Sequence, residues 1–170
     1  SAYIGGGMFC DNSSPTLTNC TFEDNTAAVA YGSGGGMACR GSSSAILTNC
    51  TFSNNTAGYG GGGFLCSGFS YPTLDNCTFT NNKADHGGGM TCSASSPTLD
   101  NCTFTGNTAT ATGNPARGGG GIYFAFISSP SPSLTDCILW DNQASNGPEI
   151  LTNQATLTVA YSDVKVHLPP

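Results

Sequence analysis

Apolar side chains recur two residues apart over short stretches of this chain. Met8 and Cys10, Cys20 and Phe22, Met37 and Cys39, and Cys50 and Phe52 are such pairs. A spacing of two puts both members of a pair on one face of a strand. The pairs come in a fixed order. A glycine run leads to a large apolar residue and a cysteine, then a loop, then Leu-x-Asn-Cys-x-Phe-x-x-Asn-x-Ala. Copies of this unit begin near Gly5, Gly34, Gly61, Gly87 and Gly118. The apolar anchors Met8, Met37, Phe64, Met90 and Ile122 are 29, 27, 26 and 32 residues apart. A period of that size marks a repeat architecture. No stretch carries the 3.6-residue period of a helical repeat, and the glycine runs and threonines inside each unit disfavour helix.

Each unit therefore predicts three short strands. The first is the Gly-Met-x-Cys segment. The second surrounds Leu17, Leu47, Leu74, Leu99 and Leu134. The third is Cys-x-Phe. Asn19, Asn49, Asn76 and Asn101 sit between the second and third strands, where a sharp bend needs a left-handed backbone that asparagine tolerates. Asn25, Asn55, Asn82, Asn107 and Asn142 are assigned to a second bend of the same kind. Ala27, Ala57, Ala84, Ala109 and Ala144 follow two residues later. One such unit cannot bury its apolar face, but units stacked in parallel can. The expected fold is all-β: a right-handed, single-stranded parallel β-helix, or β-solenoid, with a rise of about 4.8 Å per coil. It has five to six coils over residues 1–170 as one domain, the last partial coil covering 148–170. Like residues then stack, with a phenylalanine column of Phe22, Phe52, Phe79 and Phe104 continued by Leu139. Longer loops fall at 26–33, 108–117 and 125–132, and His167-Leu168-Pro169-Pro170 ends strand pairing, because proline has no N–H to donate.

Composition narrows the partners. Charged residues make up 8% of the chain and the formal net charge is −6, with Arg40, Lys83, Arg117 and Lys165 the basic residues. That balance argues against nucleic acid and anionic membranes. No apolar run reaches the roughly 18 residues of a membrane span. Nine cysteines in so polar a chain favour an oxidising, extracellular setting. Asn-x-Ser/Thr triplets at Asn12, Asn19, Asn49, Asn54, Asn76 and Asn101 are candidate glycosylation sites in a secreted protein; their plainer reading is as turn asparagines.

The pairing of Gly-Gly-x-apolar with Phe-x-x-Asn-x-Ala resembles the repeats of chlamydial polymorphic outer-membrane proteins, and of bacterial parallel β-helix proteins more widely. The matching residues are Gly5 and Met8 with Phe22-Glu23-Asp24-Asn25, and their equivalents in coils two to four. Coil five departs, with Leu139 in the phenylalanine position and Asp136 in the asparagine position. The likeness covers roughly residues 4–145. It implies a β-helix and a surface-exposed or secreted protein, and carries no catalytic residues to transfer.

The cysteines form two columns. Cys10, Cys39, Cys66 and Cys92 end the first strand, and Cys20, Cys50, Cys77, Cys102 and Cys137 open the third. One reading pairs them within each coil as Cys10–Cys20, Cys39–Cys50, Cys66–Cys77 and Cys92–Cys102, each closing a loop of about ten residues worth roughly 2–3 kcal/mol. The other keeps them as two ladders of buried free thiols. Cys137, which has no coil partner, favours the second. No Cys-x-x-Cys or Cys/His cluster has zinc spacing.

Candidate chemistry is sparse. Asp75 and Asp100 share one ladder position in adjacent coils, with Asp136 one residue off it. Stacked carboxylates repel unless solvated or bridged by a cation, so this pair is the candidate Ca²⁺ or glycosidase site. Solvated surface carboxylates are the plainer reading. His86 and His167 have no motif around them and read as surface residues. Thr78 and Thr80 with Thr103 and Thr105 form a short outward Thr-x-Thr array of the kind that binds ice, broken by Trp140. No cofactor is expected. The whole reads as an extracellular, non-enzymatic structural solenoid that associates head to tail as a fibre, or serves as a surface-display element in a longer surface protein. A carbohydrate-binding or adhesin module is the alternative, and a polysaccharide-degrading enzyme or ice-binding protein comes further behind.

Overall fold

The computed structural model describes residues 3–27, 30–127 and 131–165. The tip of the 26–33 loop, part of the 125–132 bend and the His167 to Pro170 end expected above lie outside these residues.

Coil one carries β1 (Met8–Asp11), β2 (Thr16–Thr18), β3 (Thr21–Glu23) and β4 (Thr26–Ala27). Coil two carries β5 (Met37–Arg40), β6 (Ile46–Thr48), β7 (Thr51–Ser53) and β8 (Thr56–Ala57). Coil three has β9 (Phe64–Ser67), β10 (Thr73–Asp75), β11 (Thr78–Thr80) and β12 (Lys83–Ala84). Coil four has β13 (Met90–Ser93), β14 (Thr98–Asp100), β15 (Thr103–Thr105) and β16 (Thr108–Ala109). Coil five has β17 (Ile122–Ile127), β18 (Ser133–Thr135) and β19 (Ile138–Trp140). A sixth has β20 (Ile150–Ala155), β21 (Thr158–Ala160) and β22 (Asp163–Val164).

Each strand pairs in parallel with its counterpart one coil on, giving the sheets β1-β5-β9-β13-β17-β20, β2-β6-β10-β14-β18-β21 and β3-β7-β11-β15-β19-β22. A fourth sheet, β4-β8-β12-β16, was not anticipated. It is built from the two residues that end in the column alanine, in register as Thr26↔Thr56, Ala27↔Ala57 and Ala84↔Ala109. Two-residue strands leave no alternation to read, so the period gave no signal for them.

The anticipated ladders are present. Met37 lies on Phe64, Phe64 on Met90, and Met90 on Ile122. Leu47 lies on Leu74, and Leu74 on Leu99. The rings of Phe22, Phe52, Phe79 and Phe104 stack with centroids 4.7, 4.7 and 4.4 Å apart and planes within 5°. Phe52, Phe79 and Phe104 are wholly buried. The glycine run lets the column close: a Cβ on Gly63 would meet the Gly89 carbonyl oxygen at 2.7 Å and the Phe79 ring at 2.9 Å.

The bends carry left-handed residues, as expected for Asn19, Asn49, Asn76 and Asn101 (φ 50–55°). The second asparagine column is a correction. There the left-handed residue is the one before it, namely Asp24, Asn54, Asn81, Gly106 and Asp141. Asn55, Asn82, Asn107 and Asn142 instead point inward and are buried. Each Oδ1 accepts from the backbone N–H and the Nδ2 of the asparagine one coil before, at 2.9–3.0 Å. Each Nδ2 also donates to a phenylalanine carbonyl of the preceding coil, as Asn82 does to Phe52 at 2.9 Å. This amide ladder satisfies backbone groups that the corner would otherwise strand. It ends on Glu149, to which Asn142 Nδ2 donates.

Candidate functional site

Asp75 and Asp100 stand in register, as anticipated. Thr48 lies on one side of them and Thr135 on the other, so the acidic run is two residues long. Among the described residues no group of three or more His, Cys, Asp or Glu is placed to hold a metal ion. The Thr-x-Thr array is likewise confined to two coils, Thr78↔Thr103 and Thr80↔Thr105. The six triplet asparagines are exposed and all have φ of 50–55°, so each fills a bend. Asn49 donates to Asn19 at 3.2 Å and Asn76 to Asn49 at 2.5 Å, making an outer amide row.

The coil-internal disulfides are a correction: all nine cysteines are free thiols. The first column stacks along the axis, Cys10 on Cys39 and Cys66 on Cys92, with the last two sulfurs 2.9 Å apart. The second column turns to backbone carbonyls. Cys50 Sγ donates to Leu17, Cys77 to Leu47, Cys102 to Leu74 and Cys137 to Leu99, at 3.6–3.7 Å. The second column also meets itself along the axis, the Cys102 thiol contacting those of Cys77 and Cys137, and burial pushes the Cys39 and Cys92 thiols above their ordinary range.

A site emerges at the glycine-run corner, where sequence reading placed an exposed histidine. His86 is 5% exposed. It precedes the coil-four glycines and bridges in parallel to Gly60 of coil three. Its backbone N–H donates to the Tyr59 carbonyl at 3.0 Å, and its own carbonyl accepts from the Thr91 hydroxyl at 3.0 Å. The ring sits edge-on between Tyr59 and Tyr123, with centroids 4.5 and 4.9 Å away and planes at 85° and 75°. Nδ1 lies 3.3 Å from Asp85 Oδ2. Arg117, at the end of the 108–117 loop, donates from Nη1 to Asp85 at 2.9 Å and from Nη2 to the Tyr59 hydroxyl at 3.2 Å, with its guanidinium 4.9 Å from the Tyr59 ring centroid.

These groups set the protonation. Burial lowers the His86 pKa below its ordinary value, so the ring is neutral near pH 7. The Asp85 carboxylate accepts only, which places the single ring proton on Nδ1. Nε2 is then a bare acceptor, and no described residue pairs with it. It faces Gly60, where a Cβ would sit 2.8 Å away. Around it lies a pocket of about 260 Å³ lined by Ser33, Tyr59, Leu65, Arg117, Tyr123 and Phe126 among others. Sequence reading missed it because its parts come from four coils and from loops that do not repeat. The clue that was present is Asp85-His86 directly before a glycine run, found in coil three's successor alone.

The family described as right handed beta helix region matches residues 6–167 of this chain. Comparison with curated proteins and with solved structures finds no match.

Proposed function

Because this chain belongs to the right-handed β-helix family, we propose that its column is itself the functional object: a non-enzymatic structural module that stacks end to end and displays its side wall outside the cell. The observation that supports stacking is the graded burial along each ladder. Phe52, Phe79, Phe104, Met37 and Leu47 are wholly buried, whereas Phe22, Met8 and Leu17 of coil one are half-exposed. Ile150 and Val164 of the sixth coil are also half-exposed. Among the described residues β1–β4 pair on one side, and so do β20–β22. Each end therefore offers an in-register row of backbone donors and acceptors with apolar side chains behind it, a template for another parallel coil. A second copy, or an adjacent stretch of a longer surface protein, fits that template. Contact between unlike ends is heterologous and propagates. The charge-poor surface, rich in threonine and asparagine, supports display in an extracellular setting.

Electron microscopy and sedimentation over a concentration series test the reading. Rods should lengthen with concentration, and Phe22→Glu, which puts a charge on the open ladder, should stop the growth. Rods of one length at every concentration, for wild type and variant alike, would overturn it.

A further inference from the structure

The nine thiols differ in what their sulfurs meet. Those of the second column are held by leucine carbonyls, and Cys102 lies against both Cys77 and Cys137, so no two of these three form an exclusive pair. The first column divides into pairs. Cys10, Cys39, Cys66 and Cys92 stand in register on β1, β5, β9 and β13, and Phe124 closes the column beyond Cys92. The Cys10 and Cys39 thiols hydrogen-bond to each other. Cys66 is left to Cys92, and their sulfurs are 2.9 Å apart, with both residues wholly buried. A disulfide needs sulfurs at about 2.05 Å and Cα atoms about 4.4–6.8 Å apart. Neighbouring strands hold in-register Cα atoms about 4.8 Å apart. The ladder itself therefore meets the backbone requirement, and closing the bond takes a side-chain movement of about 0.9 Å.

We propose that Cys66 and Cys92 form a redox-responsive staple between coils three and four: thiols under reducing conditions, and an axial disulfide when a small-molecule disulfide such as oxidised glutathione is present. One cysteine thiolate attacks a sulfur of the oxidant, forming a mixed disulfide and releasing one thiolate. The other cysteine thiolate then attacks the sulfur of the first, forming the Cys66–Cys92 bond and releasing the second. The two cysteines give up two electrons and two protons, and the oxidant leaves as two thiols. Burial holds the Cys92 thiol protonated and shields it, so exchange proceeds while coils three and four are locally open. Reclosure then brings the two sulfurs together. The consequence is mechanical. Each coil of a solenoid is held only by its neighbours, and β9 and β13 lie in the middle of a six-stranded sheet. A bond between residues 26 positions apart crosses that seam and stops the column unzipping there. The staple lies inside the column, so it operates whether or not columns stack.

The test starts from wild type kept under reductant, then held in urea below its unfolding midpoint with oxidised and reduced glutathione. After denaturation and alkylation, fragment mapping by mass spectrometry should show Cys66 joined to Cys92. The joined protein should unfold at a higher urea midpoint than the reduced protein, and dithiothreitol should reverse the shift. Cys92→Ala should abolish both the link and the rise in midpoint, whereas Cys77→Ala should leave both. If the Cys92 variant fails to fold, the wild-type map decides. The proposal is overturned if Cys66 and Cys92 are alkylated throughout, if either ends bonded to any other sulfur, or if the joined protein unfolds at the reduced midpoint.

Discussion

Asn82→Ala cuts the inner amide ladder at its middle. The Asn82 side chain donates to the Phe52 carbonyl and to Asn107 Oδ1, both at 2.9 Å, and accepts from the Asn55 backbone N–H and Nδ2, both at 3.0 Å. Removal takes the side-chain partner from two backbone groups in a wholly buried corner, the Phe52 carbonyl and the Asn55 N–H. Leaving a buried group unpaired costs about 1–3 kcal/mol, so the pair comes to about 2–6 kcal/mol. Domains of ordinary stability have only about 5–15 kcal/mol in total. Asn25→Ala provides the internal contrast. Asn25 is half-buried, and its side chain only donates, to Asn55 Oδ1 at 3.0 Å. Its loss should cost less than about 1.5 kcal/mol. Urea unfolding followed by far-UV circular dichroism gives both numbers, provided the dependence on denaturant is unchanged. An Asn82→Ala variant within about 1 kcal/mol of wild type, or an Asn25→Ala variant as damaged as Asn82→Ala, would refute the assignment of the ladder as a structural girder.

Two further outcomes follow from the corners and the columns. Protein denatured without reductant should give nine alkylated thiols by mass spectrometry. In the native state Cys20, the half-exposed member, should react first and Cys39 and Cys92 last; fewer than nine would restore a disulfide. Stability should also depend on His86. Its folded pKa lies below the unfolded value of about 6.5, so between the two the unfolded chain binds more protons. The His86 contribution is therefore full above about pH 6.5 and falls as pH drops through the folded pKa. Urea midpoints measured from about pH 8 to about pH 5 should fall more steeply for wild type than for His86→Phe; parallel curves would contradict the burial of a neutral ring.

How far the chain could be read depends on where each residue's neighbours come from. The ladders of Met37, Phe64 and Met90, of Leu47, Leu74 and Leu99, and of the phenylalanines were legible because every coil repeats the same order. In a parallel solenoid the spatial neighbour is the same residue one period on. Repetition along the chain therefore states a tertiary contact outright. The left-handed bends at Asn19, Asn49, Asn76 and Asn101 were legible for a local reason, the small set of residues that accept positive φ.

What stayed hidden needed direction rather than order. The asparagines at 25, 55, 82, 107 and 142 were read as bend residues. A shift of one position along the corner separates a bend residue from an inward one, and only the fold places the bend on the residue before. The two thiol columns were each visible, but whether they meet within a coil or stack along the axis depends on where each side chain points. The fold stacks both sets along the axis and places the second set against leucine carbonyls as well. His86, Tyr59, Arg117 and Tyr123 lie in segments of unequal length that escape the repeat, so no period predicts their meeting. Repetition made the column readable; the departures from repetition, which only the tertiary structure brings together, made the pocket.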